Sequence, residues 1–251
     1  MTKIKLCGLR RIEDIETANL LQPDYIGFVF APKSKRYITP DEATQLKKML
    51  NGNTAELIKA VGVFVDEDVE KVAELLNTGV IDLAQLHGNE DEDYINELRR
   101  LMTIPVTEEN CRIFCHPESI CQSIVIPNEC EGSLQTISYT DEQDKTKTFI
   151  DKSCIIKAFK IKTKEDLEKA KSSTADYILL DAGAGDGMRF NWDLLQGFDR
   201  PYFLAGGLDP ENVKEAITKL HPYGVDVSSG IETDGYKDPI KMEKFVYNVR
   251  N

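Results

Sequence analysis

Eight short apolar runs, rich in β-branched and aromatic residues and separated by helix-like patterns, confine this chain to alternating strands and helices. The runs begin near Lys3, Tyr25, Val61, Leu83, Ile155, Tyr177, Tyr202 and Gly224. Successive starts lie about 20 to 35 residues apart, the length of one βα unit, except that the fourth and fifth are about 70 apart. The helices between them carry start signals. Thr39-Pro40-Asp41-Glu42 combines an N-cap, a first-turn proline and a capping-box glutamate, and Asp209-Pro210 and Asp238-Pro239 repeat the cap-then-proline pair. Asp66 precedes the amphipathic stretch Val69, Val72, Ala73, Leu75, Leu76, which Gly79 can end, and Thr163 opens another helix. The expected fold is α/β: a single (β/α)8 barrel over 1–104 and 153–251, with an insertion between the fourth helix and the fifth strand. That insertion, 105–152, is polar and turn-rich (Thr107-Glu108-Glu109-Asn110, Tyr139-Thr140-Asp141-Glu142) and is expected to be loop-like or poorly ordered.

Composition bounds the partners. A net charge of −12 with no dense Lys/Arg cluster argues against nucleic acid and anionic membrane, both of which require a basic footprint. No apolar run is long enough to span a bilayer, and Met1-Thr2-Lys3-Ile4-Lys5-Leu6 lacks the apolar segment of a signal peptide, so a cytoplasmic location is expected. The six cysteines are accordingly expected as thiols. A small anionic ligand remains compatible, because helix N-termini and one or two arginines suffice to make a local positive site. A monomer is expected, with a dimer as the alternative.

Chemistry in such a barrel collects at the C-terminal ends of the strands. Cys7 closes the first run. A cysteine there is ordinarily a small buried hydrophobe, but Gly8 follows and allows close backbone approach, and a neighbouring cation would lower the thiol's pKa enough for it to act as a base. Asp181 closes Tyr177-Ile178-Leu179-Leu180; helix capping is the plain reading, and a partly desolvated general acid the functional one. Gly206-Gly207 and Ser228-Ser229-Gly230 end the seventh and eighth runs, where barrels often bind phosphate through backbone N–H groups. Asp226 either orients a substrate hydroxyl or fills a polar core layer. Arg36 sits in a loop with Lys33 and Lys35; it is either solvated or directed over the mouth to hold a carboxylate bidentately. Gln85 and His87 either line the pocket or satisfy backbone groups.

Two other patterns carry less. Gly183-Ala184-Gly185-Asp186-Gly187 follows the sixth strand rather than the first, which argues against a dinucleotide loop. Cys111, Cys115, His116, Cys121 and Cys130 match no common zinc spacing, and three histidines are too few for a multi-histidine site, so no metal is expected.

These residues resemble the phosphoribosylanthranilate isomerase family of tryptophan biosynthesis. The resemblance is carried by Lys5-Leu6-Cys7-Gly8-Leu9, Asp24-Tyr25-Ile26-Gly27-Phe28-Val29-Phe30, Ser34-Lys35-Arg36-Tyr37-Ile38, Val61-Gly62-Val63-Phe64-Val65, Gln85-Leu86-His87-Gly88, Leu179-Leu180-Asp181, Phe190-Asn191-Trp192, Leu204-Ala205-Gly206-Gly207-Leu208 and Asp226-Val227-Ser228-Ser229-Gly230-Ile231-Glu232, on both sides of the insertion. It implies an Amadori rearrangement of N-(5-phosphoribosyl)anthranilate by acid/base catalysis without cofactor or metal. Asp181 would protonate the furanose oxygen and Cys7 would take the proton from C2, with the phosphate on the glycine and serine loops and the anthranilate carboxylate at Arg36. Gln85, His87, Asp226, Ser228, Ser229 and Gly230 are the further expected substrate contacts. The chain departs from the family pattern in Gly185-Asp186-Gly187-Met188-Arg189-Phe190-Asn191-Trp192 and in the insertion. The competing readings are another phosphosugar isomerase built on a barrel, or a barrel that binds a phosphorylated ligand without turnover.

Overall fold

The computed structural model describes residues 1–50, 58–102, 154–182, 192–195 and 197–251, together with the backbone of strands at 104–105, 134–140 and 146–152. Thirteen strands run in chain order among these residues: β1 (Lys3–Cys7), β2 (Tyr25–Val29), β3 (Lys59–Phe64), β4 (Leu83–Leu86), β5 (Ile104–Pro105), β6 (Leu134–Thr140), β7 (Thr146–Lys152), β8 (Ile155–Lys160), β9 (Tyr177–Asp181), β10 (Tyr202–Ala205), β11 (Gly224–Val227), β12 (Glu232–Thr233) and β13 (Tyr236–Lys237). Eight of them close into a parallel barrel in the order β1-β11-β10-β9-β8-β4-β3-β2. Seven barrel strands start at the residues expected from the sequence, and β3 starts two residues earlier, at Lys59.

The described helices are α1 (Ile12–Leu21), α2 (Pro40–Met49), α3 (Val69–Asn77), α4 (Glu92–Met102), α5 (Lys164–Ser172), α6 (Val213–Leu220) and α7 (Pro239–Arg250). Thr39 caps α2 in a capping box with Glu42, Thr163 caps α5 the same way with Asp166, and the Asp238 carboxylate accepts from Ile240 and Lys241 at the start of α7. Two starts differ from expectation. The α3 cap is Asp68, because Asp66 adopts a left-handed backbone (φ 52°) and turns its carboxylate to the Asn89 amide of the next loop. At α6 the Asp209 carboxylate takes up the amides of Glu211 and Asn212 in a turn, so the helix begins only at Val213.

Where a loop-like excursion over 105–152 is expected, β5, which begins one residue earlier, pairs with β7, and β7 with β6, in a three-stranded antiparallel sheet. Alternation in Gln135-Thr136-Ile137-Ser138-Tyr139-Thr140 and Thr146-Lys147-Thr148-Phe149-Ile150 is the period-2 signal behind these strands. The five cysteine and histidine positions of the insertion lie outside the described residues.

At the N-terminal end of the barrel an aromatic plug forms. Phe203, fully buried, meets Tyr25, Tyr177 and Tyr223 with ring centroids 5.4, 6.1 and 5.3 Å away, all in edge-to-face geometry. A repeated staple closes the same end. Asp24, Asp82 and Asp176, each just before a strand, accept amides from the start of the preceding strand: Ile4 at 2.9 Å, Ala60 at 2.7 Å, and Cys154 and Ile155 at 2.9 and 2.8 Å. Each aspartate also pairs with a cation: Lys3, Lys47 and Arg99 respectively. These bonds satisfy first-strand amides that the ladder leaves over, and they fix the register at which the opposite ends of the strands present their side chains.

Candidate active site

Side chains alternate along β1, so Leu6 joins the core shared with the helices while Lys5 and Cys7 point into the barrel. Lys5 is fully buried, and its ammonium lies 2.9 Å from Asp226 on β11, its register partner. A lone ion in that position would be costly, so each charge holds the other. Asp226 therefore fills a polar core layer.

Cys7 is a free thiol, buried against Val29 and Val63. Gly27 on β2 makes the room: a Cβ there would lie 2.6 Å from the Cys7 sulfur. Burial outweighs the cations, so the Cys7 thiol is held above its ordinary range rather than lowered as a neighbouring cation alone would have it; the Lys5 ammonium pulls against the rise, Asp226 adds to it, and Lys237 pulls more weakly.

Arg36 is set in place by the bridge between Val29 and Tyr37. It lies across Gly8, whose left-handed backbone (φ 81°) and missing side chain admit the arginine's methylenes. Its Nε and Nη2 donate to both oxygens of Glu232, at 2.6 and 2.8 Å. Glu232 also accepts from Lys237 at 2.7 Å. Burial would raise the Glu232 carboxyl, but the hydrogen bonds and charges of Arg36 and Lys237 win, and it is held at about 2. Lys237 reaches further, to the Ser228 carbonyl at 2.9 Å, and the Ser228 hydroxyl donates to the Cys7 carbonyl at 3.1 Å. One polar chain thus joins the arginine, the serine loop and the end of β1.

Gly206 and Gly207 follow β10 with left-handed backbones (φ 92° and 65°), and Ser229–Ile231 form a short 3-10 turn after β11. Gly230 packs directly on the backbone of Leu208 and Asp209, leaving no space for a side chain, so the two loops sit as one surface. In the barrel order β10 and β11 lie between β9 and β1, which puts both loops between Asp181 and Cys7.

Asp181 ends β9 and is partly exposed. Its Oδ2 is 3.1 Å from His87 Nε2, and His87 Nδ1 is 2.9 Å from Gln85 Nε2. Gln85 is buried inside β4. Nearby, Lys157 on β8 pairs with Glu90 at 2.9 Å and donates to the Gly88 carbonyl at 3.0 Å, fixing the loop that carries His87. Of the altered loop Gly185–Trp192, only Trp192, at the start of a 3-10 turn, is among the described residues.

Sequence reading assigned no role to Lys5, Glu232 or Lys237. Two signals were present. Lys5 shares the inward face of β1 with Cys7, and Asp226 occupies the matching position on β11. Asp234-Gly235 is a two-residue hairpin signal that places Glu232 opposite Lys237, as β12 and β13 show.

A family model described as N-(5'phosphoribosyl)anthranilate (PRA) isomerase matches residues 4–114 and 139–248. Among curated proteins, the N-(5'-phosphoribosyl)anthranilate isomerase of a Thermoanaerobacter species is 40% identical over 257 residues, covering 100% of this chain and 98% of its own. That of Acetivibrio thermocellus is 38% identical, covering 100% and 96%. Among solved structures, the phosphoribosyl anthranilate isomerase of Thermotoga maritima superposes with a TM-score of 0.72 at 28% identity, covering 100% of this chain and 99% of that one. A phosphoribosyl anthranilate isomerase in complex with reduced 1-(o-carboxyphenylamino)-1-deoxyribulose 5-phosphate gives 0.69 at 28% identity, with the same coverage. The family match leaves out 115–138, whereas the curated relatives align over essentially their whole length.

Proposed function

The chain belongs to the N-(5'-phosphoribosyl)anthranilate isomerase family, and from that premise we propose how its own residues carry out the rearrangement of N-(5-phosphoribosyl)anthranilate to the 1-deoxyribulose 5-phosphate product. The observation that carries the assignment is the placement of Cys7 and Asp181 on either side of the two packed loops at the C-terminal ends of β10 and β11.

The phosphate lies on the backbone of Gly206, Gly207, Ser228, Ser229 and Gly230, where N–H groups, rather than side chains, meet the anion. The carboxylate of the anthranilate ring meets the Nη1 edge of Arg36, the edge not used by Glu232. Asp181 gives its proton to the furanose oxygen as the C1–O bond breaks and the nitrogen lone pair forms the C1=N iminium. The iminium acidifies C2–H. Cys7, as thiolate, removes that proton; the electrons run to nitrogen and leave an enolamine, whose C2 hydroxyl becomes the ketone as C1 gains a proton. Lys5 and Lys237 are the cations that oppose the burial-driven rise of the thiol and so ease formation of the thiolate.

Turnover by the whole chain and two variants tests this. Asp181→Asn and Cys7→Ser are each expected to lower kcat by ~10²–10⁴-fold while leaving the thermal midpoint unchanged. Wild-type activity in either variant would remove that residue from its role. A cytoplasmic enzyme working as a monomer completes the reading, and sedimentation equilibrium of the purified chain decides between monomer and dimer.

A further inference from the structure

We propose that Gln85 and His87 form a switchable hydrogen-bond line that matches Asp181 in each of its two protonation states, and that they act on catalysis through Asp181 as positioning residues. The inference rests on the assignment of Asp181 as the acid. Three contacts carry it. Gln85 Nε2 lies 2.9 Å from His87 Nδ1, and His87 Nε2 lies 3.1 Å from Asp181 Oδ2. Among the described residues, Gln85 Oε1 is the one buried side-chain polar atom with no hydrogen-bond partner.

Donor and acceptor roles must alternate along this line. With the Gln85 amide nitrogen facing the ring, Nδ1 accepts, so neutral His87 carries its proton on Nε2 and donates it to Asp181. That arrangement suits a carboxylate and strands Oε1. A half-turn of the amide brings Oε1 to the ring instead. Then Nδ1 carries the proton and donates to Oε1, while bare Nε2 only accepts, which suits a protonated Asp181. Each arrangement matches Asp181 in one of its states, and each leaves the other half of the Gln85 amide without a partner. A general acid visits both states in every turnover, as it loses its proton to the sugar oxygen and later regains one. In passing from the first to the second, Nε2 gives its proton to Asp181 Oδ2 and Nδ1 takes one from solvent, so the imidazole ends neutral and the line has gained the one proton that reloads the acid. A fixed donor in place of His87 would favour the spent carboxylate throughout; a fixed acceptor would hold back the proton.

Nitrogen-15 spectra of the imidazole rings read the tautomer directly in ligand-free protein, without turnover, so their outcome is independent of whether Asp181 is the acid. The chain has three histidines, and loss of one signal in His87→Gln assigns the third. Wild-type protein is expected to show unprotonated Nδ1 and protonated Nε2 at His87. Gln85→Glu, which only accepts, is expected to reverse the two, and Gln85→Met, which does neither, to give a mixture. In the kinetics, Gln85→Glu is expected to lower kcat about tenfold with KM within about twofold. A protonated Nδ1 in the wild type, or the same tautomer in wild type and both variants, overturns the proposal. The wild-type spectrum alone decides the matter should the variants fail to fold.

Discussion

The two ends of this barrel draw on the same residue types for opposite purposes. At the N-terminal end Asp24, Asp82 and Asp176 are spent on amides and on Lys3, Lys47 and Arg99, around an aromatic plug centred on Phe203. At the C-terminal end Asp181 keeps a partly exposed carboxyl, touched by a histidine that can donate or accept, and the cations Lys5, Lys237 and Arg36 surround a thiol. An aspartate held by a backbone amide and a fixed cation holds structure. One whose partner can change its proton can do chemistry.

Glycine substitution sharpens that contrast most. A Cβ at Gly27 would lie 2.6 Å from the Cys7 sulfur, and one at Gly224 would lie 2.6 Å from the Phe203 ring. Gly27→Ala is expected to displace the thiol and lower kcat by about 10²-fold. Gly224→Ala is expected to cost about 1–3 kcal/mol in denaturant melts with kcat nearly unchanged. The same kinetic loss in both would break the division between the ends.

Asp176→Ala comes next. It leaves the Cys154 and Ile155 amides without their acceptor, at about 1–3 kcal/mol each, and is expected to lower the thermal midpoint while folded protein keeps its kcat.

Charge at the active end should appear in the pH profile. Lys237 favours the Cys7 thiolate, so Lys237→Gln raises the thiol further and moves the acid limb of kcat/KM to higher pH. A shift to lower pH, or none, would detach Lys237 from the thiol.

The smallest effect is expected from the insertion. We propose that the barrel's active end does not depend on 105–152, so replacing 106–152 by a short linker should leave kcat within about threefold. Loss of folded protein on deletion would assign β6 and β7 to the barrel's own stability.

The barrel was legible because its strands are punctuated. Strand starts at Lys3, Tyr25 and Leu83 need only the period-2 and turn signals around them. Cys7, Asp181 and the paired loops were legible because each closes a strand. The partners were not. That Arg36 meets Glu232, or that His87 meets Asp181, depends on contacts 196 and 94 residues apart in the chain, which no local pattern encodes. Asp66 shows the same limit, since a residue well placed to cap α3 is claimed instead by the Asn89 amide of the neighbouring loop. The strands of the insertion were obscured because their period-2 alternation is carried largely by polar residues, which read equally well as loop.

The central claim is that the Cys7 sulfur takes the proton from C2 of the sugar. Single-turnover rates with substrate deuterated at C2 test it most directly. Deuterium is expected to slow the wild-type enzyme, and Cys7→Ser to slow the same isotope-sensitive step by ~10²-fold or more. A Cys7→Ser protein that transfers the C2 proton at the wild-type rate would contradict it.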